Sequence, residues 1–135
     1  MVKCQKICIL RTYKKNKLDI ELIGLKKSPF KYMTDSDVFI LSSKWEGFGH
    51  VVVEALACGV PVLSTECPHG PAEILENEKY GWLVPNDNIE AMAEKMIDLI
   101  KNSHKIEEKS KLSKERSEDF AAGKIVKEYE KLLLN

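Results

Sequence analysis

No stretch of this chain approaches the roughly 18 consecutive apolar residues that a membrane-spanning helix requires, which excludes an integral membrane segment. Charge of one sign is also missing. The 21 Lys and Arg balance the 21 Asp and Glu, so no broad field favours nucleic acid or an acidic membrane as a partner. Cysteine is scarce, and Cys4, Cys8, Cys58 and Cys67 are too few for a disulfide framework. With His50 and His69 they match no zinc-ligand spacing, so buried or partly buried free thiols are expected and no metal. The start lacks an apolar h-region and a small-residue cleavage site, so no signal peptide is read. The expectation is a soluble cytoplasmic protein, peripheral at the inner membrane only where a partner holds it there. Its 135 residues suffice for one domain with a real core and are too few for two.

What is present alternates. Residues 3–15 read as a weak helix, and the apolar-rich stretch 18–25 reads as a strand ending near Gly24. Pro29 opens a short helical turn through Tyr32 and Met33. The run Val38, Phe39, Ile40, Leu41 has strand length and no alternation, the mark of a strand buried on both faces. A helix is expected over 48–58, packed through Val52, Ala55 and Leu56 and stopped by Gly59 and Pro61. Residues 60–63 form the next strand, 64–70 a loop, and Pro71 takes the first position of a helical turn. Gly81 introduces a third strand over 82–84. Asp87 caps a helix whose apolar positions are Ile89, Met92, Met96, Ile97 and Ile100. Two charged helices follow, over 105–118 and 121–134, the second with Ile125, Val126, Tyr129, Leu132 and Leu133 on one stripe. Strand–helix alternation of this kind predicts an α/β fold, a Rossmann-like parallel sheet flanked by helices, with extra C-terminal helices.

The most informative segment lies where the apolar run gives way to the small-residue helix. Glu46 and Glu54 bracket Gly47, Phe48, Gly49 and His50. Ligands of parallel sheets bind at the carboxyl ends of the strands, so this loop and loop 66–70 should face one crevice. A helix start offers unpartnered N–H groups and a positive dipole end to an anion. Gly47 and Gly49 allow close backbone approach and conformations closed to other residues. Eight residues at helical rise span about 12 Å at most, similar to the reach from a sugar across a pyrophosphate to a ribose. Each carboxylate can accept hydrogen bonds from a vicinal diol. A nucleotide sugar has that layout.

An ordered series of motifs carries a resemblance that covers about residues 19–134. It runs through residues 37–43, then Trp45, Glu46, Gly47, Phe48 and Gly49, then 54–62, then 70–74 and 81–84. In these the chain resembles the donor-binding, C-terminal half of a GT-B retaining glycosyltransferase of group 1 (family GT4). The resemblance implies retaining transfer of a hexosyl group from a nucleotide diphosphate sugar to a glycan or lipid-linked acceptor. It makes Glu46 the catalytic residue, contacting the donor sugar and stabilising charge at its anomeric carbon. Gly47, Phe48 and Gly49 would supply backbone contacts to sugar and phosphate, and Glu54 would hold the ribose. His50 stands where the family commonly has an apolar residue and would be either a substrate-binding residue facing the phosphate or a partly exposed helix-start residue. The loop Cys67, Pro68, His69, Gly70, Pro71 resembles members that use UDP-linked sugars. Members of this kind need no metal, so Asp35, Ser36 and Asp37 read as turn and capping chemistry.

The family pattern is incomplete here. No glycine-containing first loop with its Arg/Lys pair is found; Arg11, Lys14 and Lys15 are basic in different surroundings. No acceptor domain is found either, and without that wall the chain alone is expected to transfer no sugar. Residues 1–135 are thus expected to be one incomplete nucleotide-sugar-binding domain. Three readings stand: part of a longer enzyme, the donor subunit of a two-chain transferase with a separate acceptor subunit, or a non-catalytic nucleotide-sugar-binding or interaction module. Simpler roles exist for individual residues. Glu46 and Glu54 would serve as surface charges and Glu73 as a helix-dipole partner. Trp45 would pack beneath its loop, and the lysines and glutamates of 101–119 would form a solvated face.

Overall fold

The computed structural model describes residues 20–134. Three apolar runs form a parallel sheet, β1 (Phe39–Leu41), β2 (Val62–Glu66) and β3 (Gly81–Pro85), in the order β1-β2-β3. Phe39 pairs with Val62, and Val62 in turn with Gly81, so the strands start level and their carboxyl ends share one edge. Between and after them come α1 (Phe30–Thr34), α2 (His50–Ala57), α3 (Pro71–Ile74), α4 (Ile89–Lys101), α5 (His104–Glu118) and α6 (Ala122–Leu133).

Alternation along the strands splits the core into two layers. On one face Val62 packs with Val52, Ala55 and Leu56 of α2 and with Ile74, Leu75 and Tyr80. On the other, Leu63, Trp82 and Val84 meet Leu99 of α4. Val52, Leu56, Val62, Leu63 and Ile74 are fully buried; each such side chain contributes about 1.5–3 kcal/mol relative to an exposed one. The expected helix over 48–58 and its packing residues are therefore in place. Gly59 ends α2 in the left-handed region, and Pro71 stands at the first position of α3.

Several expectations are corrected. The strand expected over 18–25 is not formed in its described part: residues 20–26 have no regular structure and Leu25 is fully exposed. A strand needs a paired neighbour, and these residues have none among the described residues. The helix expected over 3–15 lies outside the described residues. β1 is not buried on both faces, since Ile40 is 40% exposed. It is an edge strand among the described residues, and α4 covers β2 and β3 but leaves a groove of about 430 Å³ over Ile40 and Leu63. β2 is longer than expected and takes in Ser64 and Thr65, which are buried strand rather than loop. Their hydroxyls stay satisfied by donating to the Thr65 and Ser43 carbonyls.

The α4 stripe is also divided. Leu99 is its buried residue, with Ala91 and Met92 partly buried beside it, whereas Ile89, Ile97 and Ile100 are exposed. On α6, Val126, Tyr129, Leu132 and Leu133 are likewise exposed. Cys67 is buried and Cys58 half-buried, both as free thiols. Among the described residues no helix is long and apolar enough to cross a membrane.

The cap of α4 is Asn88, not Asp87. The Asn88 side chain accepts from the Ala91 N–H at 2.9 Å, while Asp87 sits one residue earlier at φ +56° and pairs with Lys44. Replacing Asn88 by Ala is expected to lower stability by about 1 kcal/mol. Asp87→Ala removes only an exposed ion pair and is expected to cost less than about 1 kcal/mol. Urea denaturation of the two variants checks this, and a larger loss at Asp87 would reverse the assignment.

Candidate functional site

Because the strands are parallel, the loops after β1, β2 and β3 emerge at one edge. Side chains then tie them together. Thr65 on β2 donates to the Ser43 carbonyl, and Asn86 after β3 donates to the Lys44 carbonyl at 2.8 Å. Lys44 and Asp87 form an exposed ion pair across the same gap. The segment after β1 is thereby held at two successive carbonyls. Trp45 consequently projects outward, 67% exposed, rather than packing beneath the loop.

Glu46 follows this pinned turn and is half-buried. Its Oε1 accepts from the Ser43 hydroxyl at 2.6 Å, so the carboxylate is oriented before any ligand arrives. Gly47 is exposed, and a Cβ added there would meet nothing within 4 Å. It takes no left-handed conformation, so the special backbone expected of both glycines belongs to Gly49 alone. Gly49 is the N-cap of α2 at φ +86°. It brings no capping side chain, and the first turn of α2 holds no acidic residue. The helix start is thus left unneutralised, with its first N–H groups free of intrahelical partners.

His50 and Glu54 lie four apart on α2 and share a face. The Phe48 ring lies 5.1 Å from His50 and packs edge-on against Phe120 at 5.7 Å. Glu54 is half-buried, and its carboxylate makes no hydrogen bond or ion pair among the described residues. The loop after β2 meets this segment directly. A Cβ on Gly70, which has φ +83°, would fall 1.9 Å from the Phe48 carbonyl oxygen. The two loops therefore stand against one another at the carboxyl edge of the sheet, where the crevice is expected. His69 is exposed at φ +67°, and Glu73 is exposed in the first turn of α3. Asp35 closes α1, and Ser36 donates to the Tyr32 carbonyl at 2.6 Å, in keeping with turn chemistry. Arg11, Lys14 and Lys15 lie outside the described residues.

Sequence reasoning singled out neither Ser43 nor Arg116. The first was hidden because a serine after a strand reads as loop. The second lies in a highly charged helix, yet its side chain is only 11% exposed. Its Nε donates to the Ile74 carbonyl at 2.8 Å and its Nη2 to the Glu73 carbonyl at 2.9 Å. Its Nη1 pairs with Glu76 and Asp119, and its plane lies over the rings of Tyr80 and Phe120. Lys124 and Arg116 beside Asp119 hold that carboxyl below its usual range, so what the Asp119 pairs contribute to stability is present above the ordinary carboxylate range and is lost as pH falls through the lowered value.

The three glycines make a graded test. Gly47→Ala is expected to be nearly neutral for stability, and Gly49→Ala to cost about 1–2 kcal/mol from its left-handed backbone. Its added Cβ would make only ordinary contacts, the nearest 3.6 Å away at Val52. Gly70→Ala adds a clash with the Phe48 carbonyl and is expected to cost more than Gly49→Ala, about 2–4 kcal/mol. Thermal or urea melts of the three variants check the order, and equal losses at Gly49 and Gly70 would deny the close approach.

The glycosyl transferases group 1 family model matches residues 13–119. An uncharacterised glycosyltransferase of Methanocaldococcus jannaschii is 34% identical over 87% of this chain and 37% of its own length. The Campylobacter jejuni N-acetylgalactosamine-N,N'-diacetylbacillosaminyl-diphospho-undecaprenol 4-alpha-N-acetylgalactosaminyltransferase is 30% identical over 84% of this chain and 31% of its own length. Among solved structures, a Staphylococcus aureus TarM variant in complex with UDP, fondaparinux and alpha-GlcNAc-glycerol superposes with a TM-score of 0.82 at 27% identity, over 94% of this chain and 26% of that one. Anabaena HepE in complex with UDP superposes at 0.84 with 22% identity, over 98% of this chain and 38% of that one, a likeness of fold. The chain spans about a third of the length of the curated relatives it matches. Its parallel sheet flanked by helices is that of the C-terminal half of a GT-B fold, and the chain belongs to the group 1 glycosyltransferase family.

Proposed function

We propose that this chain is the donor-binding domain of a glycosyltransferase that moves a hexosyl group from a nucleotide diphosphate sugar, with a UDP-sugar as donor, to a glycan or lipid-linked acceptor with retention of configuration. The observation that carries the reading is the junction of the segment 46–50 with the uncapped start of α2, set against Gly70 at the carboxyl edge of the sheet. Family membership and the UDP complexes of TarM and HepE support it.

In this reading the diphosphate lies over the start of α2, where the backbone amides and helix dipole stabilise the charge that builds up as it departs. Gly47 leaves open space for sugar and phosphate, and His50, on the first turn, faces the phosphates. Glu46, oriented by Ser43, contacts the donor sugar and stabilises positive charge at the anomeric carbon. Glu54 accepts hydrogen bonds from the ribose diol. Charge stabilisation is thus given to backbone and helix rather than to a metal ion. Transfer itself needs a second wall that holds the acceptor and excludes water, which the reading assigns to an acceptor-binding domain or subunit working opposite this one.

Calorimetric titration with UDP and several UDP-sugars tests the donor site. Glu54→Ala is expected to weaken UDP binding by about tenfold or more, since hydrogen bonds to a charged group contribute about 1.5–3 kcal/mol. Glu46→Gln is expected to weaken a UDP-hexose more than UDP itself. No binding of any nucleotide sugar, or binding untouched by Glu54→Ala, overturns the reading.

A further inference from the structure

The two loops of the crevice are held by more than each other. The start of α3 touches the first loop where Gly70 underlies the Phe48 carbonyl. The end of α3 is held by Arg116 through the carbonyls of Glu73 and Ile74. Arg116 lies 4.8 Å over the Phe120 ring, and Phe120 packs edge-on against Phe48. These contacts close a ring: Phe48 to Gly70, along α3 to Arg116, to Phe120, and back to Phe48. Its members come from three places far apart in the chain, so nothing local enforces it.

We propose that Arg116 and Phe120 are positioning residues for the donor site. They brace the Phe48–Gly70 junction from behind and so set where the start of α2 and the loop after β2 stand relative to a bound nucleotide. The inference rests on the donor-site reading above. Three physical points favour it. α3 has four residues, too few to hold a helical turn by itself, and Arg116 bonds the carbonyl of Ile74 and that of Glu73, which also accepts from the Glu76 N–H. The planar guanidinium fork is suited to two adjacent carbonyls, and its central carbon lies 5.2 Å from the centre of the Tyr80 ring and 4.8 Å from that of Phe120. A mostly buried arginine is also a poor choice for stability alone, because apolar side chains of similar volume often serve as well. Its three hydrogen bonds and its ion pair with Glu76 instead fix an angle and a distance.

The test uses the full chain, with UDP as ligand, and the variants Arg116→Met, Arg116→Lys and Phe120→Leu. Lys105→Ala is the control; it breaks the Asp98 pair near the other end of α5 and leaves the ring intact. UDP affinity is measured by calorimetry well below each melting temperature, alongside amide hydrogen exchange at residues 47–51. The expected result is UDP affinity about tenfold weaker in Arg116→Met and Phe120→Leu, with faster exchange at 47–51 and the control unchanged in both. Arg116→Lys keeps the charge and is expected to recover stability without recovering affinity. Should Arg116→Met fail to fold, the lysine and leucine variants carry the test. Folded variants that bind UDP within about twofold of the unmodified chain overturn the proposal. So does exchange at 47–51 that is unmoved in all of them. If the unmodified chain binds no UDP, the donor-site reading itself falls and takes this inference with it; the failure is then visible in the parent chain rather than in the variants.

Discussion

The Phe48 carbonyl occupies space that a side chain at residue 70 would fill, and the geometry of the crevice depends on that close approach. Parallel strands bring their following loops to one edge, but a shared edge leaves several ångströms of freedom. The contact at Gly70 removes it. With residue 70 reduced to backbone, the loop after β2 lies directly against the turn that leads into α2. The start of α2 and the entry to α3 are thereby held side by side. Gly49 completes the arrangement by turning the chain through a left-handed conformation without placing a cap of its own on α2.

Around this contact the polar groups form supports rather than a reacting set. Thr65 and Asn86 hold the carbonyls of Ser43 and Lys44, and Ser43 in turn orients Glu46. These side chains belong to strand ends or the residues right after them, so the rigidity of the sheet passes into the loop. Arg116 does the same from the helical side by binding the end of α3. Glu54 makes no such bond among the described residues, which leaves its carboxylate available to a ligand. Thr65, Asn86 and Arg116 thus set positions through bonds within the protein, and Glu46 is itself oriented by one such bond, from Ser43.

Much of this was legible in advance, for reasons that differ by element. Val52, Ala55 and Leu56 declared the buried face of α2 by helical spacing, and Gly59 and Pro61 declared its end by backbone chemistry. Pro71 marked the first position of α3 in the same way. β1 was found but its burial was overstated, because a run of apolar residues reports what a strand could cover and not which neighbours arrive. Ser64 and Thr65 were placed in a loop because hydroxyl side chains favour turns, and their strand role depends on a distant carbonyl that accepts from Thr65. Asp87 has a side chain suited to capping, but its left-handed backbone and the Asn88–Ala91 bond give the cap to the next residue. Arg116 was invisible among the charges of α5, since the partners that draw it inward lie more than forty residues away.

The amino-acid sequence by itself determined the order of strands and helices, the family, and the segment Glu46 to Glu54 as the candidate donor site. Those are properties of local spacing and of motifs read in order along the chain. Only the tertiary structure decided that Gly49 and not Gly47 carries the special backbone, that Ser43 orients Glu46, and that Gly70 lies under Phe48 with Arg116 and Phe120 behind it. Each of these depends on which groups are neighbours in space after the sheet has formed, and a one-dimensional pattern holds no record of that distance.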